Sequence, residues 1–262
     1  MPYRCPYCSY TRGWKLRRGA HKCKRCRREF RSCEYPVSGF RLTEHQWRNC
    51  LHVFLRERTA SRVSEDVGVS LKSAQKMTHH LRLVMLEDIP PVFCGPVEMD
   101  ETYVGGQRKN KRLHIRKIYH KPGHGTQKLP IVGLFCRSSG QVRVTVESKK
   151  LDIKGILDLV HEQVTPGASM YTDGFKMYRG LSRHGYTHAY VNHSLGEYVR
   201  GDVHTNNIEG FWGILKRRLG CIGGMRRERL PLFVAEITWK FNHRKLSLTQ
   251  QEECLYTRLT ED

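Results

Sequence analysis

Acidic residues are scarce in this chain. Its 262 residues hold 25 Asp and Glu against 46 Lys and Arg, a formal charge of +21 with a pI near 9.8. Long apolar runs are missing as well. The longest, such as Leu129 to Cys136, fall far short of the roughly 20 residues a membrane helix needs. The opening MPYRCPYC places no apolar run behind its positive charges, so a secretory leader is not expected, and the chain is expected to be soluble and intracellular. Apolar residues as such are not lacking. At 39% before its 23 glycines are counted, the composition excludes a disordered polycation. At roughly 100 to 200 residues per domain, the length admits one sizeable core and one or two small modules, and no tandem of large domains. A basic chain without a membrane anchor points to a polyanionic partner, of which nucleic acid is the commonest.

Ten cysteines would suit a disulfide scaffold, but in a reducing compartment close CxxC pairs more often hold metal or do redox work. Cys5-x2-Cys8 is followed after fourteen residues by Cys23-x2-Cys26. Two such knuckles aim four sulfurs at one tetrahedral Zn²⁺, and some thirty residues bury no core without the metal. The spacing therefore predicts a zinc ribbon over residues 1–35. A redox CxxC pair is the alternative, and it lacks a βαβ pattern here. His21 is expected on the surface. Cys33, Cys50, Cys94, Cys136, Cys221 and Cys254 show no paired spacing and are expected to be mostly structural.

Residues 41–90 change character. Leu42, Trp47, Leu51, Phe54 and Leu55 recur at helical spacing, and TASRVSEDVGVSLKSAQKM follows. Val63 and Val67 suit a short helix, Gly68 a left-handed turn, and Ser70 the cap of a second helix bearing Leu71, Ala74, Met77 and Leu81. The pattern predicts a helix-turn-helix whose exposed Lys72, Ser73, Gln75 and Lys76 approach the DNA major groove. A plain helical hairpin is the bland alternative. Pro90, Pro91 and Pro96 end the helical run.

From 96 to 250 the pattern alternates between strand and helix. Val97 to Tyr103 reads as a strand, LPIVGLFCRS and QVRVTVES as two more, Leu151 to Val164 as a helix, and Ser169 to Thr172 as a strand delivering Asp173. After a short helix and a strand near Tyr186 to Val191 come helices over Asn207 to Leu219 and Leu230 to Phe241. This is the element order of a ribonuclease H-like α/β domain. Asp100, Asp173 and Glu209 are acids from separate elements in a basic chain. Converging carboxylates can hold two Mg²⁺ ions for phosphodiester chemistry, inside a basic surround that draws DNA. Taken singly, Asp173 is equally a turn residue before glycine and Glu209 a helix-surface charge. Glu98 and Glu101 are expected on the face away from Asp100, outside the metal shell. Asn206 is expected to cap the helix behind it, with His204 capping or touching DNA, and Trp212 and Trp239 are expected in the core. In GGQRKNKRLHIRK, the basic residues Arg108, Lys109, Lys111 and Arg112 are expected on the DNA backbone, against the alternative of a solvated hairpin.

VEMDETYVGGQRKNK, YTDGFKMYRGL and VNHSLGEYVRGDVHTNNIEGFWGILKRRL together resemble the DDE transposases of bacterial insertion sequences, most closely the ISXO-like group related to the eukaryotic Merlin elements. Members of that group also carry an amino-terminal zinc ribbon and a helix-turn-helix, so the resemblance spans nearly the whole chain. It implies a ribonuclease H-like catalytic domain with Mg²⁺ or Mn²⁺, and the triad Asp100, Asp173 and Glu209. The group's lysine maps to Lys216, seven residues and almost two helical turns beyond Glu209, hence on its face. It further implies double-stranded DNA as partner, in the form of terminal inverted repeats and target. Bringing two ends together implies a homodimer or larger synaptic complex. The expected location is the bacterial cytoplasm at the nucleoid, or the nucleus in a eukaryote. A DNA-binding regulator with an idle core is the alternative, but no acid of the triad is missing.

Overall fold

The computed structural model describes residues 5, 7, 8, 10–17, 20–30, 36–105, 113, 128–147, 152–222 and 226–261. They form two compact units, residues 1–75 with 252–262 and residues 76–251. Arg108, Lys109, Lys111, Arg112 and Cys33 lie outside the described residues.

In the first unit, β1 (Gly13–Lys15), β2 (His21–Cys23) and β3 (Glu29–Phe30) make a small antiparallel sheet. Helix α1 (Glu44–Leu55) begins with a capping box in which Thr43 and Gln46 satisfy each other's backbone N–H. It buries Trp47, Cys50, Leu51 and Phe54, with Phe40 edge-on to Trp47 at 5.1 Å. Helix α2 (Ala60–Val67) is capped by Thr59 and ends at Gly68, whose φ of 70° is the left-handed value that the turn demands. Ser70 Oγ accepts from the Ser73 N–H at 3.1 Å at the start of α3 (Leu71–Glu87). The sequence gives no warning of a carboxy-terminal helix over residues 248–260. There, His52 pairs with Glu252 at 2.8 Å, and Arg48 with Glu253 at 2.9 Å.

The second unit is built on a five-stranded sheet of order β6-β5-β4-β7-β8. Its strands are β4 (Val97–Val104), β5 (Leu129–Cys136), β6 (Gln141–Val146), β7 (Ser169–Asp173) and β8 (Thr187–Val191). β4 runs antiparallel to β5 and β5 to β6, whereas β7 runs parallel between β4 and β8. β5, second in that order between β6 and the central β4, is apolar along its length because helices cover both faces. Helix α4 (Ile153–Gln163) lies where the first helix of this stretch is expected, and a 3₁₀ segment, Lys176–His184, takes the place of the second. They cover one face through Ile156, Val160, Tyr178 and Leu181 on Val97, Met99, Val132 and Leu134. Helices α5 (Asn206–Cys221) and α6 (Leu230–Asn242) cover the other, with Ile208, Phe211, Trp212, Leu215 and Val234 on Ile131, Phe135 and Val142. A mixed sheet of this order, with the parallel connection from β4 to β7 formed through helix α4, is the ribonuclease H-like architecture that the element order predicts. Helix α7 (Leu248–Thr260) begins in this unit and continues into the first. Among the described residues no helix is long and apolar enough to cross a membrane.

Candidate active site and metal centres

The first cluster is made of thiols. Backbone bonds from the Cys5 N–H to Tyr10 O and from the Cys23 N–H to Arg28 O close the two knuckles, and Arg27 at the second turns through a φ of 59°. One sulfur from each of Cys5, Cys8, Cys23 and Cys26 lies within 4.8 Å of all the others. Across the pairs, Cys5 and Cys26 stand 3.6 Å apart and Cys8 and Cys23 3.5 Å. Disulfides require about 2.05 Å, whereas tetrahedral zinc with bonds near 2.3 Å spaces its sulfurs by roughly 3.8 Å. The donor set and its size fit Zn²⁺. Of the remaining described cysteines, Cys50 and Cys136 are buried, and Cys94 and Cys221 are exposed.

The second cluster sits at the sheet's parallel seam. β4 and β7 pair through Val97–Met170, Glu98–Tyr171 and Met99–Thr172, which brings Asp100 and Asp173 side by side at the next step. Three carboxylate oxygens, one each from Asp100, Glu101 and Asp173, lie within 4.8 Å of one another. Asp173 makes the turn bond expected of an Asp before glycine, accepting from the Phe175 N–H at 3.0 Å. Asp100 accepts from the Trp212 indole N–H at 3.0 Å. Opposite Asp100 in the β4–β5 register stands Gly133. A Cβ there would lie 2.5 Å from Trp212 and 2.8 Å from Ile208, so only glycine lets the indole reach the carboxylate. Trp212 is therefore both core and site. Trp239 is core, its N–H held by Asp88 at 2.7 Å.

Burial first, then the negative charges of Glu101 and Asp173, pushes Asp100 up to about 7, against the pull of the Glu101 backbone N–H and the Trp212 N–H. Glu101 is likewise pushed up to about 7, mainly by burial, although the Tyr178 hydroxyl donates to it. Crowded, desolvated carboxylates of this kind are stabilised by a divalent cation, and an all-oxygen donor set suits Mg²⁺ or Mn²⁺.

The expectations for the two flanking glutamates each fail in one part: Glu101 lies on the far face yet joins the carboxylate group, and Glu98 stays outside that group yet shares Asp100's face. Alternation does send Glu101 to the face opposite Asp100, where it meets Tyr178. After the Met99–Thr172 pair, however, β4 has no partner on its β7 side, and carboxylates from both faces reach round that open edge to Asp173. Glu98 stands two residues from Asp100 and so shares its face. It is fully buried and bonds to the amino-terminal end of α5 through the N–H groups of Asn207 and Ile208. The expectation for Asn206 fails too. Asn206 is already the first helical residue, Thr205 is the N-cap, and Glu98 supplies the capping oxygen.

Glu209 stands outside the group of three. It lies exposed in the first turn of α5, accepting from the Thr205 hydroxyl at 2.8 Å, with His193 Nε2 at 3.8 Å. Trp212, one turn on, donates its indole N–H to Asp100. Lys216 is exposed further along α5, and Lys72, Gln75 and Lys76 are exposed on α3, with Ser73 partly buried.

A ribonuclease H-like sheet with acids where two adjacent parallel strands stop pairing, and a further acid on a later helix, defines the DDE class of DNA-rearranging enzymes. Residues 93–242 match the model of the ISXO2-like transposase domain, and the chain belongs to that family of DDE transposases. It is 30% identical over 223 residues to the "Uncharacterized protein in transposable element ISH50" of Halobacterium salinarum, covering 81% of this chain and 74% of the relative. It is 31% identical over 91 residues to the "Uncharacterized transposase-like protein" of Haemophilus influenzae, covering 35% of this chain and 73% of that protein. Two solved structures are distantly similar. One is a chain of the simian T-cell lymphotropic virus intasome in complex with PP2A regulatory subunit B56 gamma, with a TM-score of 0.36, 16% identity and coverage of 75% of this chain and 68% of that one. The other is the HTLV-2 integrase catalytic core domain in complex with magnesium, trimeric form, with a TM-score of 0.33, 16% identity and coverage of 57% and 85%.

Proposed function

We propose that this transposase binds the terminal inverted repeats of its own element, cleaves the element ends, and joins the freed 3′-hydroxyls to target DNA by phosphodiester hydrolysis and transesterification. The observation that carries this reading is the convergence of Asp100, Glu101 and Asp173 at the β4–β7 seam of a transposase-family domain. In it Asp100 and Asp173 hold two divalent cations, Glu209 completes the shell from α5, and Glu101 joins the set. Bound Mg²⁺ or Mn²⁺ supplies the Lewis acidity the reaction requires. The chain's own part is placement. Trp212 fixes Asp100, the Phe175 N–H fixes Asp173, and Lys216, on Glu209's side of α5, grips a phosphate beside the reacting one.

Three modules divide the work in this reading. Residues 1–35 form a Zn²⁺ ribbon held by Cys5, Cys8, Cys23 and Cys26. Residues 41–90 form a helix-turn-helix presenting Lys72, Ser73, Gln75 and Lys76 to DNA, and residues 96–250 form the catalytic domain, aided by Arg108, Lys109, Lys111 and Arg112. Phosphate contacts supply affinity and a few side chains choose sequence. Pairing of two ends calls for a homodimer or larger assembly.

The test uses a plasmid carrying the gene with its native flanks, incubated with full-length protein and Mg²⁺ or Mn²⁺, with 3′ ends mapped by sequencing. Breaks at fixed flanking positions and joined products are expected with wild type. Both should vanish with Asp173→Asn while DNA binding stays. Cutting by Asp173→Asn at the wild-type rate would overturn the assignment.

A further inference from the structure

A threonine at a helix N-cap ordinarily turns its oxygen back to accept from a backbone N–H two or three residues on. Thr205 occupies that position on α5 and makes no such bond. The waiting N–H groups are taken from outside the helix. Asn207 N donates to Glu98 Oε2 at 2.9 Å and Ile208 N to the same oxygen at 3.1 Å, while Asn207 Nδ2 donates to Oε1 at 2.7 Å. Glu98 has no exposed surface, and its charge is met by Arg137 Nε at 2.7 Å. Arg137 in turn grips the chain just ahead of the helix, donating to the carbonyl oxygens of Asp202 at 2.7 Å and His204 at 2.9 Å, with its guanidinium 4.5 Å from the centre of the Tyr171 ring. A buried carboxylate against a helix amino terminus is stabilised by charge-assisted bonds and by the helix dipole.

The consequence falls on Thr205. Relieved of capping and itself fully buried, it donates its hydroxyl proton to Glu209 Oε1 at 2.8 Å, one turn along. The Glu209 side chain is 45% exposed, and a long exposed side chain samples several rotamers unless something holds it. We propose that Thr205 is the positioning residue of Glu209, and that the Glu98–Arg137 pair, acting as a cap supplied from β4, is what releases Thr205 for that task. This inference rests on the reading that Glu209 serves the carboxylate cluster.

The experiment measures cutting and joining on the flanked plasmid as a function of Mn²⁺ concentration for wild type, Thr205→Val, Thr205→Ala, Thr205→Ser and Glu209→Gln. Mn²⁺ binding to the DNA-free proteins is followed by electron paramagnetic resonance, and each protein's melt is recorded. Loss of one hydrogen bond to a charged group predicts that Thr205→Val needs about tenfold more Mn²⁺ for half-maximal rate. Its melt should stay close to wild type, and Thr205→Ser should restore the wild-type requirement. Thr205→Ala carries the test if the valine variant does not fold. A Thr205→Val or Thr205→Ala protein with the wild-type Mn²⁺ requirement, beside a dead Glu209→Gln, would overturn the positioning role alone. A Glu209→Gln protein that cuts like wild type would instead overturn the reading on which it rests.

Discussion

Cys5, Cys8, Cys23 and Cys26 fall within 22 residues of one another, whereas the carboxylates of the second cluster come from strands 73 residues apart, Asp100 on β4 and Asp173 on β7. Among the described residues, the thiol cluster has little apolar to stand on. Its buried residues are Cys5 and Cys23, with Cys8, Cys26 and Tyr10 packed against them, so the ligands are the core. The carboxylate cluster rests on a finished core, with one apolar layer on each side of the sheet. In the proposed reading the difference gives metal two roles along one chain. In the first region it would supply the folding energy of a piece too small to fold alone. In the second it would relieve charge crowded together on a core already built from apolar layers.

The sharpest way to break this contrast is chelation of the full chain. Removal of Zn²⁺ should release the amides of β1, β2 and β3 to rapid hydrogen exchange while those of β4, β5 and β7 keep their protection. Protection of β2 that survives chelation would contradict it. Next in size is Gly133→Ala. The added carbon meets Trp212 at 2.5 Å, and overpacking of a filled core costs about 1–3 kcal/mol. A urea melt should fall by that amount, and Mn²⁺ binding should weaken because the indole leaves Asp100. An unchanged melt with unchanged Mn²⁺ binding would refute the link.

A smaller effect is expected from pH. Asp100 and Glu101 are held up to about 7 in the folded chain, above the roughly 4 of free carboxylates. A group so raised binds its proton more tightly when folded, and its contribution to stability is complete below pH 4 and lost as pH rises through about 7. The metal-free protein should therefore melt a few degrees lower at pH 8 than at pH 5, and millimolar Mg²⁺ should cancel most of that loss. A melt that rises over this range without metal would show that the acids are not crowded. The smallest effect lies outside both clusters. Lys72→Ala or Lys76→Ala should each flatten the salt dependence of DNA binding by about one in log–log slope, with little change in which sequence is preferred. A slope equal to wild type would remove that residue from the interface.

Legibility in the sequence follows the same division. Two CxxC pairs are a local pattern, so the thiol cluster could be read directly. Strands and helices of the catalytic unit were legible from periodicity, Asp173 from its place at a strand end, and both Asp100 and Asp173 from the resemblance. What escaped were facts about neighbours. Glu101's approach to Asp173 depends on where β7 stops pairing with β4, which no pattern within β4 records. Glu98 shares the parity of Asp100, yet its task is set by the end of a helix more than a hundred residues later. The Trp212 spacing marks an apolar helix face, and only the register of Gly133 with Asp100 shows why its N–H arrives at a carboxylate. Helix α7 follows a region already complete as an α/β domain, and its opening LTQQEEC carries little apolar periodicity.

Gly133 carries a consequence for descent as well as for packing. Every base change in the first two positions of a glycine codon replaces the residue, and each replacement adds at least the one carbon for which the structure has no room. A copy that is otherwise intact but encodes anything except glycine at 133 is expected to carry that same weakened core and metal site, a defect readable from its sequence alone.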